Sequence, residues 1–138
     1  MSTAKDPDHW LYRLTAEEWL AAARTELAHA AETLGRRAFR PGVTHARRAA
    51  GMAWNAVLVQ KLDPGYGRSY MDHVAALARD DRVPDEPRQA AAFLRDTPPV
   101  PPELITLGKP DMRPLQAAQT VLAYAEERAL TAPAFKTN

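Results

Sequence analysis

The sequence contains no cysteine, no long apolar run and almost no net charge. The absence of cysteine excludes disulfides, thiolate metal sites and cysteine nucleophiles. No stretch approaches the roughly 20 apolar residues of a membrane span, and residues 1–10 lack the apolar run of a secretion signal. We therefore expect a cytoplasmic protein without a membrane partner. With 18 basic and 17 acidic residues, the formal charge of +1 gives no global reason for a nucleic-acid partner, so any electrostatic argument has to be local.

Several motifs of catalysis and ligand binding are also missing. The sequence has no glycine-rich phosphate loop, no nucleophile elbow and no HExxH metal motif. It has no β-hairpin signal and no run of period-two alternation, which argues against strands. Its three tryptophans and four tyrosines are most simply core and rim residues, because a stacking platform for bases would need them exposed beside the arginines.

What the sequence does contain is a helical period. Apolar residues recur at intervals of three and four in several segments, and the 12 prolines cluster at the boundaries of these segments. The pattern predicts a single all-α domain over residues 1–138, an antiparallel helical bundle of three long helices plus one or two short ones. The segments 1–9 and 131–138 are expected to be frayed tails.

The expected helices begin at capping residues. Thr15 followed by Glu18 predicts a capping box at the start of the first long helix, and Gly35 predicts its end. Ser69 with Asp72 predicts a second capping signature, at the start of a shorter helix. The other helices are expected at about 43–61, 69–79, 85–94 and 112–130, with a stiff extended segment at 97–102.

Around the start of the second long helix, five arginines fall within 13 residues that contain no acid. Pro41-Gly42 is expected to break the backbone there and to fold the first two long helices against each other. A helix N-terminus offers free N–H groups and a positive dipole end, and guanidinium groups add bidentate donors for phosphate. The alternative is a solvated corner whose arginines pair with carboxylates elsewhere. The predicted anion- or nucleotide-binding residues are Arg36, Arg37, Arg40, His45, Arg47 and Arg48.

Two of the four histidines follow an arginine with four residues between them: Arg40 precedes His45, and Arg68 precedes His73. A histidine that titrates near neutrality can deprotonate a 2′-hydroxyl or orient a phosphate, while the arginine stabilises the developing charge. Each pair is therefore a minimal candidate for metal-independent RNA cleavage, although such spacing arises easily by chance among 18 basic residues.

One pattern suggests a metal. Glu26 and His29 form the glutamate–histidine pair, three residues apart, that carboxylate metal sites use in helical bundles. A di-metal site needs a second such pair, and the sequence has none. A lone pair is more often part of a solvated helix face, so we predict no metal site and no cofactor.

Two segments resemble the first two helices of HEPN (higher eukaryotes and prokaryotes nucleotide-binding) domains: WLAAARTELAHA at 19–30 and VTHARRAAGMAWNAVL at 43–58. Typical members have a tryptophan, alanines and a Leu-x-x-Ala in the first helix and a frame of small residues in the second. Arg47-Arg48 stands here where the family has a glutamine pair, and Met52 and Asn55 replace its usual glutamate and lysine. VLAYAE at 121–126 fits the last helix of the family. The small-residue frame is kept by Ala46, Ala49, Ala50, Ala53, Ala56 and Leu58.

The resemblance implies a small helical bundle, usually a homodimer, that binds a nucleotide or RNA or partners a nucleotidyltransferase or another protein. Some members are ribonucleases with an arginine and a histidine four to six residues apart, late in the chain. Arg68 and His73 have that spacing and are the candidate catalytic pair, but they lie earlier, and no histidine follows His73. We therefore favour a non-catalytic binding domain. The alternatives are a metal-independent endoribonuclease and a purely structural helical adaptor.

Overall fold

The computed structural model describes residues 10–98 and 109–136, with the backbone alone for 130–136. The chain is all-α: five α-helices and two short 3-10 turns, at Trp10–Arg13 and Pro64–Tyr66, occur in the described residues, and no strand does. None of the helices in these ranges combines the length and the hydrophobicity that a membrane span requires. The helices are α1 (Ala16–Gly35), α2 (Phe39–Gln60), α3 (Tyr70–Arg79), α4 (Asp85–Asp96) and α5 (Arg113–Lys136).

Both predicted capping boxes are confirmed. At the start of α1, the Glu18 amide donates to Oγ1 of Thr15 at 3.1 Å, and the Thr15 amide donates to Oε1 of Glu18 at 2.9 Å. At the start of α3, the Asp72 amide donates to Oγ of Ser69 at 3.0 Å, and the Ser69 amide donates to Oδ2 of Asp72 at 3.2 Å. Each box satisfies two amides at its helix end, which is why both helices begin where the sequence predicts.

The predicted backbone break at Pro41-Gly42 is wrong. Helix α2 begins at Phe39, so both residues lie inside it. A proline is tolerated in the first turn of a helix because the N–H that it lacks would have no intrahelical acceptor there. The chain reverses at residues 36–38 instead, where Arg37 has a φ of 66° and its amide donates to the Leu34 carbonyl oxygen at 2.9 Å.

Helix α2 is central, since it contacts α1, α3, α4 and α5. Every residue from 49 to 56 is buried, as expected for a helix that is surrounded on all sides. Small residues make the close packing possible. A Cβ atom added at Gly42 would run into the Leu34 side chain of α1, so glycine at this position allows the two helices to approach near the turn that joins them.

The ends of the chain differ in part from expectation. Helix α5 continues to Lys136, into the segment predicted as the tail 131–138. The predicted tail at 1–9 and most of the expected extended segment at 97–102 lie outside the described residues.

Candidate functional site

The structure divides the predicted anion-binding residues into two groups. Arg36, Arg37 and Arg40 lie in the turn before α2 and in its first helical turn, and all three are exposed. We call these three residues the arginine corner. The other group lies further along α2 and consists of His45, Arg47 and Arg48. The side chains of His45 and Arg48 contact α1, and that of Arg47 contacts the end of α4 and the residue after it.

Arg47 binds the carboxyl-terminal end of α4. Its Nε donates to the Leu94 carbonyl oxygen at 2.8 Å, and its Nη2 donates to the Thr97 carbonyl oxygen at 2.6 Å. The last carbonyls of a helix have no partner within the helix and carry a partial negative charge, so a guanidinium is a favourable partner for them. Burial lowers the pKa of Arg47, which nevertheless stays charged at neutral pH. In this conformation, Arg47 joins α2 to α4 and is not available to a phosphate.

We expect Arg47→Met to destabilise the fold by about 1–2 kcal/mol, because charged hydrogen bonds to the end of α4 are lost while water replaces part of them. Arg48→Met is the matched control. Arg48 is exposed, its ion pair is 3.5 Å long, and its loss should cost less than about 0.5 kcal/mol. Urea unfolding followed by far-ultraviolet circular dichroism measures both values. Equal losses for the two variants would show that Arg47 does not hold α4 in place.

Glu26 of α1 contacts the other two residues of this group, His45 and Arg48. Nδ1 of His45 lies 2.7 Å from Oε1 of Glu26, and Nη2 of Arg48 lies 3.5 Å from Oε2. The ring of His29 packs against that of His45, with centroids 5.3 Å apart and an angle of 63° between the planes. Sequence spacing alone did not connect His45 with Glu26 and His29. The sequence does contain a signal for this contact. His29 and His45 are equally far from Arg37, at which the chain reverses, so folding at that residue brings the two histidines side by side.

The arginine corner is different, because little in the protein neutralises it. Within the described ranges, neither Arg36 nor Arg40 makes a side-chain hydrogen bond or an ion pair, whereas Arg37 has an interaction of its own. The residue that precedes α2, Ala38, provides no side-chain cap, and the first turn of the helix contains no acid. The positive end of the α2 dipole therefore coincides with two unpaired guanidinium groups.

The candidate catalytic residues Arg68 and His73 lie in different environments. Arg68 is exposed, and its backbone amide donates to Oδ2 of Asp72 at 3.2 Å. His73 has no exposed surface, and the ring of Trp10 stacks on its imidazole with centroids 6.3 Å apart. Nδ1 of His73 lies 2.7 Å from the Tyr66 carbonyl oxygen.

The second ring nitrogen of His73, Nε2, lies 2.8 Å from Oδ1 of Asn55. Burial lowers the pKa of His73, so the ring is neutral at neutral pH and has a single N–H. The Tyr66 carbonyl oxygen can only accept, so Nδ1 carries this proton and Nε2 needs a donor. A 180° rotation of the Asn55 side-chain amide turns its NH2 group towards Nε2 and supplies this donor. The rotation also gives the NH2 group a partner, which it otherwise lacks among the described residues. Both ring nitrogens are then satisfied inside the protein, and in this conformation neither can accept a proton from a substrate.

A pocket of about 510 Å³ lies at the opposite end of α2, lined in part by Trp54, Tyr66 and Tyr124. Trp54 stacks on Tyr124 with centroids 5.7 Å apart, and Trp54 and Tyr66 are each only 5% exposed. Two of the charged residues that also line the pocket, Asp80 and Arg82, are paired: the Tyr66 hydroxyl donates to Asp80 at 2.5 Å, and Nε of Arg82 donates to Asp80 at 2.9 Å. Burial raises the pKa of Tyr66, and the Arg82 hydrogen bond lowers the pKa of Asp80, so this proton stays on the phenol. These aromatic residues pack on one another as core, away from the arginine corner.

No protein-family model, no curated protein and no solved structure matches the chain. Two arrangements on the described residues are suited to a ligand. The arginine corner combines unpaired positive charge with a helix N-terminus, and the group of Glu26, His29 and His45 combines two imidazoles with a carboxylate.

Proposed function

We propose that this chain is a non-catalytic, HEPN-like helical domain that binds the phosphate groups of a nucleotide or RNA at the arginine corner. The observation that supports the proposal most directly is the lack of any partner for the side chains of Arg36 and Arg40 within the described residues, beside an uncapped helix N-terminus. Phosphate oxygens accept from guanidinium and from backbone amides alike, so one anion can satisfy both kinds of donor.

The local charge favours an anion. No aspartate or glutamate occurs between residues 33 and 62, although the net charge of the whole chain is only +1. Glu32, one helical turn before Arg36, makes no ion pair with it. A local excess of positive charge attracts polyanions over about one Debye length, roughly 10 Å at 0.1 M salt, and this attraction weakens as salt is added.

We further propose the antiparallel bundle of three long helices that the sequence pattern predicts. The contacts of α1 with α2 support it: Leu34 approaches Gly42, and Glu26, two turns earlier, approaches His45 and Arg48, which lie later in α2.

Self-association as a homodimer, and pairing with a nucleotidyltransferase or another protein, are proposals that rest on the HEPN-like pattern. Sedimentation velocity with and without RNA would measure the mass of the bound and the free protein.

We expect Arg36→Ser/Arg40→Ser to weaken the binding of a fluorescein-labelled, mixed-sequence single-stranded RNA by at least about 10-fold at low salt, since two phosphate contacts are lost. The slope of log K against log salt should fall by about 1.4, because each contact to a single strand contributes about 0.7. Fluorescence anisotropy at about 20–200 mM KCl, the range in which phosphate contacts dominate, measures both quantities. The matched control is Arg13→Ser/Arg79→Ser, which removes the same charge from two exposed positions elsewhere.

The control variant should bind RNA nearly as tightly as the wild type. Equal losses in the two double variants would mean that binding follows overall charge and not the arginine corner. Absence of binding by the wild type even at the lowest salt would favour the structural adaptor. RNA cleavage that survives a chelator and is lost in Arg68→Ala, an exposed substitution, would favour the metal-independent endoribonuclease instead.

A further inference from the structure

We propose that Glu26, His29 and His45 form a binding site for one divalent transition-metal ion on the surface between α1 and α2. One ligand atom from each residue lies within 4.8 Å of those of the other two. In a tetrahedral site with bonds of about 2.0–2.1 Å, ligand atoms are about 3.3 Å apart, so side-chain movements of about 1 Å suffice to close the site. The pair from different helices, Nδ1 of His45 and Oε1 of Glu26, is already 2.7 Å apart.

The two helices hold the ligands in place. Glu26 and His29 are three residues apart on α1, which puts them one above the other on one helix face. His45 reaches them from α2, and the approach of Gly42 to Leu34 fixes the spacing of the helices one turn away. The site therefore needs rotation of side chains but no movement of the backbone.

The donor set selects the kind of ion. Two imidazoles and one carboxylate suit Zn²⁺, Co²⁺, Ni²⁺, Cu²⁺ and Fe²⁺, whereas Mg²⁺ and Ca²⁺ prefer oxygen ligands alone. Three protein ligands leave at least one coordination position for water or for an external ligand. When the metal ion binds Nδ1 of His45, the hydrogen bond between Nδ1 and Glu26 is lost, and the proton of that bond moves to Nε2 of the ring or to solvent.

Arg48 brings a positive charge close to the site, which opposes a cation. Its Nη2 lies 3.5 Å from Oε2 of Glu26, so it contacts the carboxylate oxygen that does not face His45. Arg48 is 46% exposed and can keep this contact while the metal binds Oε1. A hydrogen-bonded second oxygen is a common outer partner of a metal-ligating carboxylate, and it helps to orient the group.

Isothermal titration of untagged protein with ZnCl2, and the visible absorption of the Co²⁺ complex, test the proposal. We expect saturable binding of one Zn²⁺ per chain. His29→Ala and Glu26→Gln should each weaken it by at least about 100-fold, because changes even to outer partners of metal ligands cost about 10–100-fold. Zn²⁺ should also raise the melting temperature of the wild type and not that of His29→Ala.

Two controls keep the result interpretable. His29 is exposed, so the circular dichroism spectrum of His29→Ala should match that of the wild type. His9→Ala removes a histidine that is not among the proposed ligands and should leave Zn²⁺ binding unchanged. Absence of 1:1 binding by the wild type, or equal affinity in His29→Ala, would overturn the proposal. The arginine-corner experiment is independent, because Arg36 and Arg40 are not among the ligands.

Discussion

His73→Ala is expected to destabilise the fold by about 3–5 kcal/mol, because a buried ring and two hydrogen bonds are lost together. The imidazole is fully buried, so its removal leaves a cavity beneath Trp10. The substitution also leaves the Tyr66 carbonyl oxygen and the Asn55 amide without their hydrogen-bond partner. Stabilities of single domains are about 5–15 kcal/mol in total, so much of the folding free energy would be lost.

Arg68→Ala should change stability by less than about 0.5 kcal/mol, because the side chain is exposed and only the backbone amide is used. Urea unfolding curves of the two variants measure the difference directly. His73→Asn is a useful third variant, since its amide nitrogen can occupy the position of Nδ1 and donate to Tyr66. Its stability should lie between those of the wild type and His73→Ala. A fully stable His73→Ala protein would show that the imidazole is not needed for the fold, which would revive a catalytic role for it.

Gly51→Ala is expected to destabilise the fold by about 2–3 kcal/mol, although alanine is the better helix former by about 1 kcal/mol. Gly51 lies in the middle of α2 and faces the first residue of α3. An added Cβ would lie 2.6 Å from Cα of Tyr70 and closer still to its Cβ. Because one of these is a main-chain atom and the other is bonded to it, a rotamer change cannot relieve the clash, and α3 would have to move.

Gly35→Ala provides the matched control with the opposite sign. A Cβ at Gly35 would meet no atom within 4 Å, and its φ is not in the left-handed region. Alanine should therefore stabilise the protein by about 0.5–1 kcal/mol through helix propensity and a less flexible unfolded chain. Thermal unfolding should show a lower melting temperature for Gly51→Ala and a higher one for Gly35→Ala. Melting temperatures that rise for both would mean that α3 adapts to α2 without cost.

Much of the fold was accessible from the sequence. Capping boxes are local patterns, so Thr15 with Glu18 and Ser69 with Asp72 identified two helix starts correctly. The expected start of α2, at about residue 43, lies too late in the chain. Proline breaks a helix in its interior, but Pro41 lies in the first turn, where proline is compatible with the helix.

The hydrogen-bond and ion-pair partners of the charged residues could not be predicted from the sequence in the same way. Arg47 binds carbonyls 47 and 50 residues away, and no local pattern encodes such a contact. The burial of His73 is indicated by the sequence. The three-and-four period of a buried helix face runs through Tyr70, His73, Val74 and Leu77. The spacing from Arg68 favoured a catalytic interpretation of His73, although this period already indicated a core position.

The reversal of the chain at residues 36–38 also bears on the order of assembly. Two contacts that it brings together, Leu34 with Gly42 and Glu26 with Arg48, join residues only 8 and 22 positions apart in the sequence. The ion pair of Arg24 with Glu126 spans 102 residues. Closing a short loop costs less chain entropy than closing a long one, so we expect the α1–α2 hairpin to form early and α5 to dock late. Helix α2 would then serve as the template on which the carboxyl-terminal half of the chain condenses.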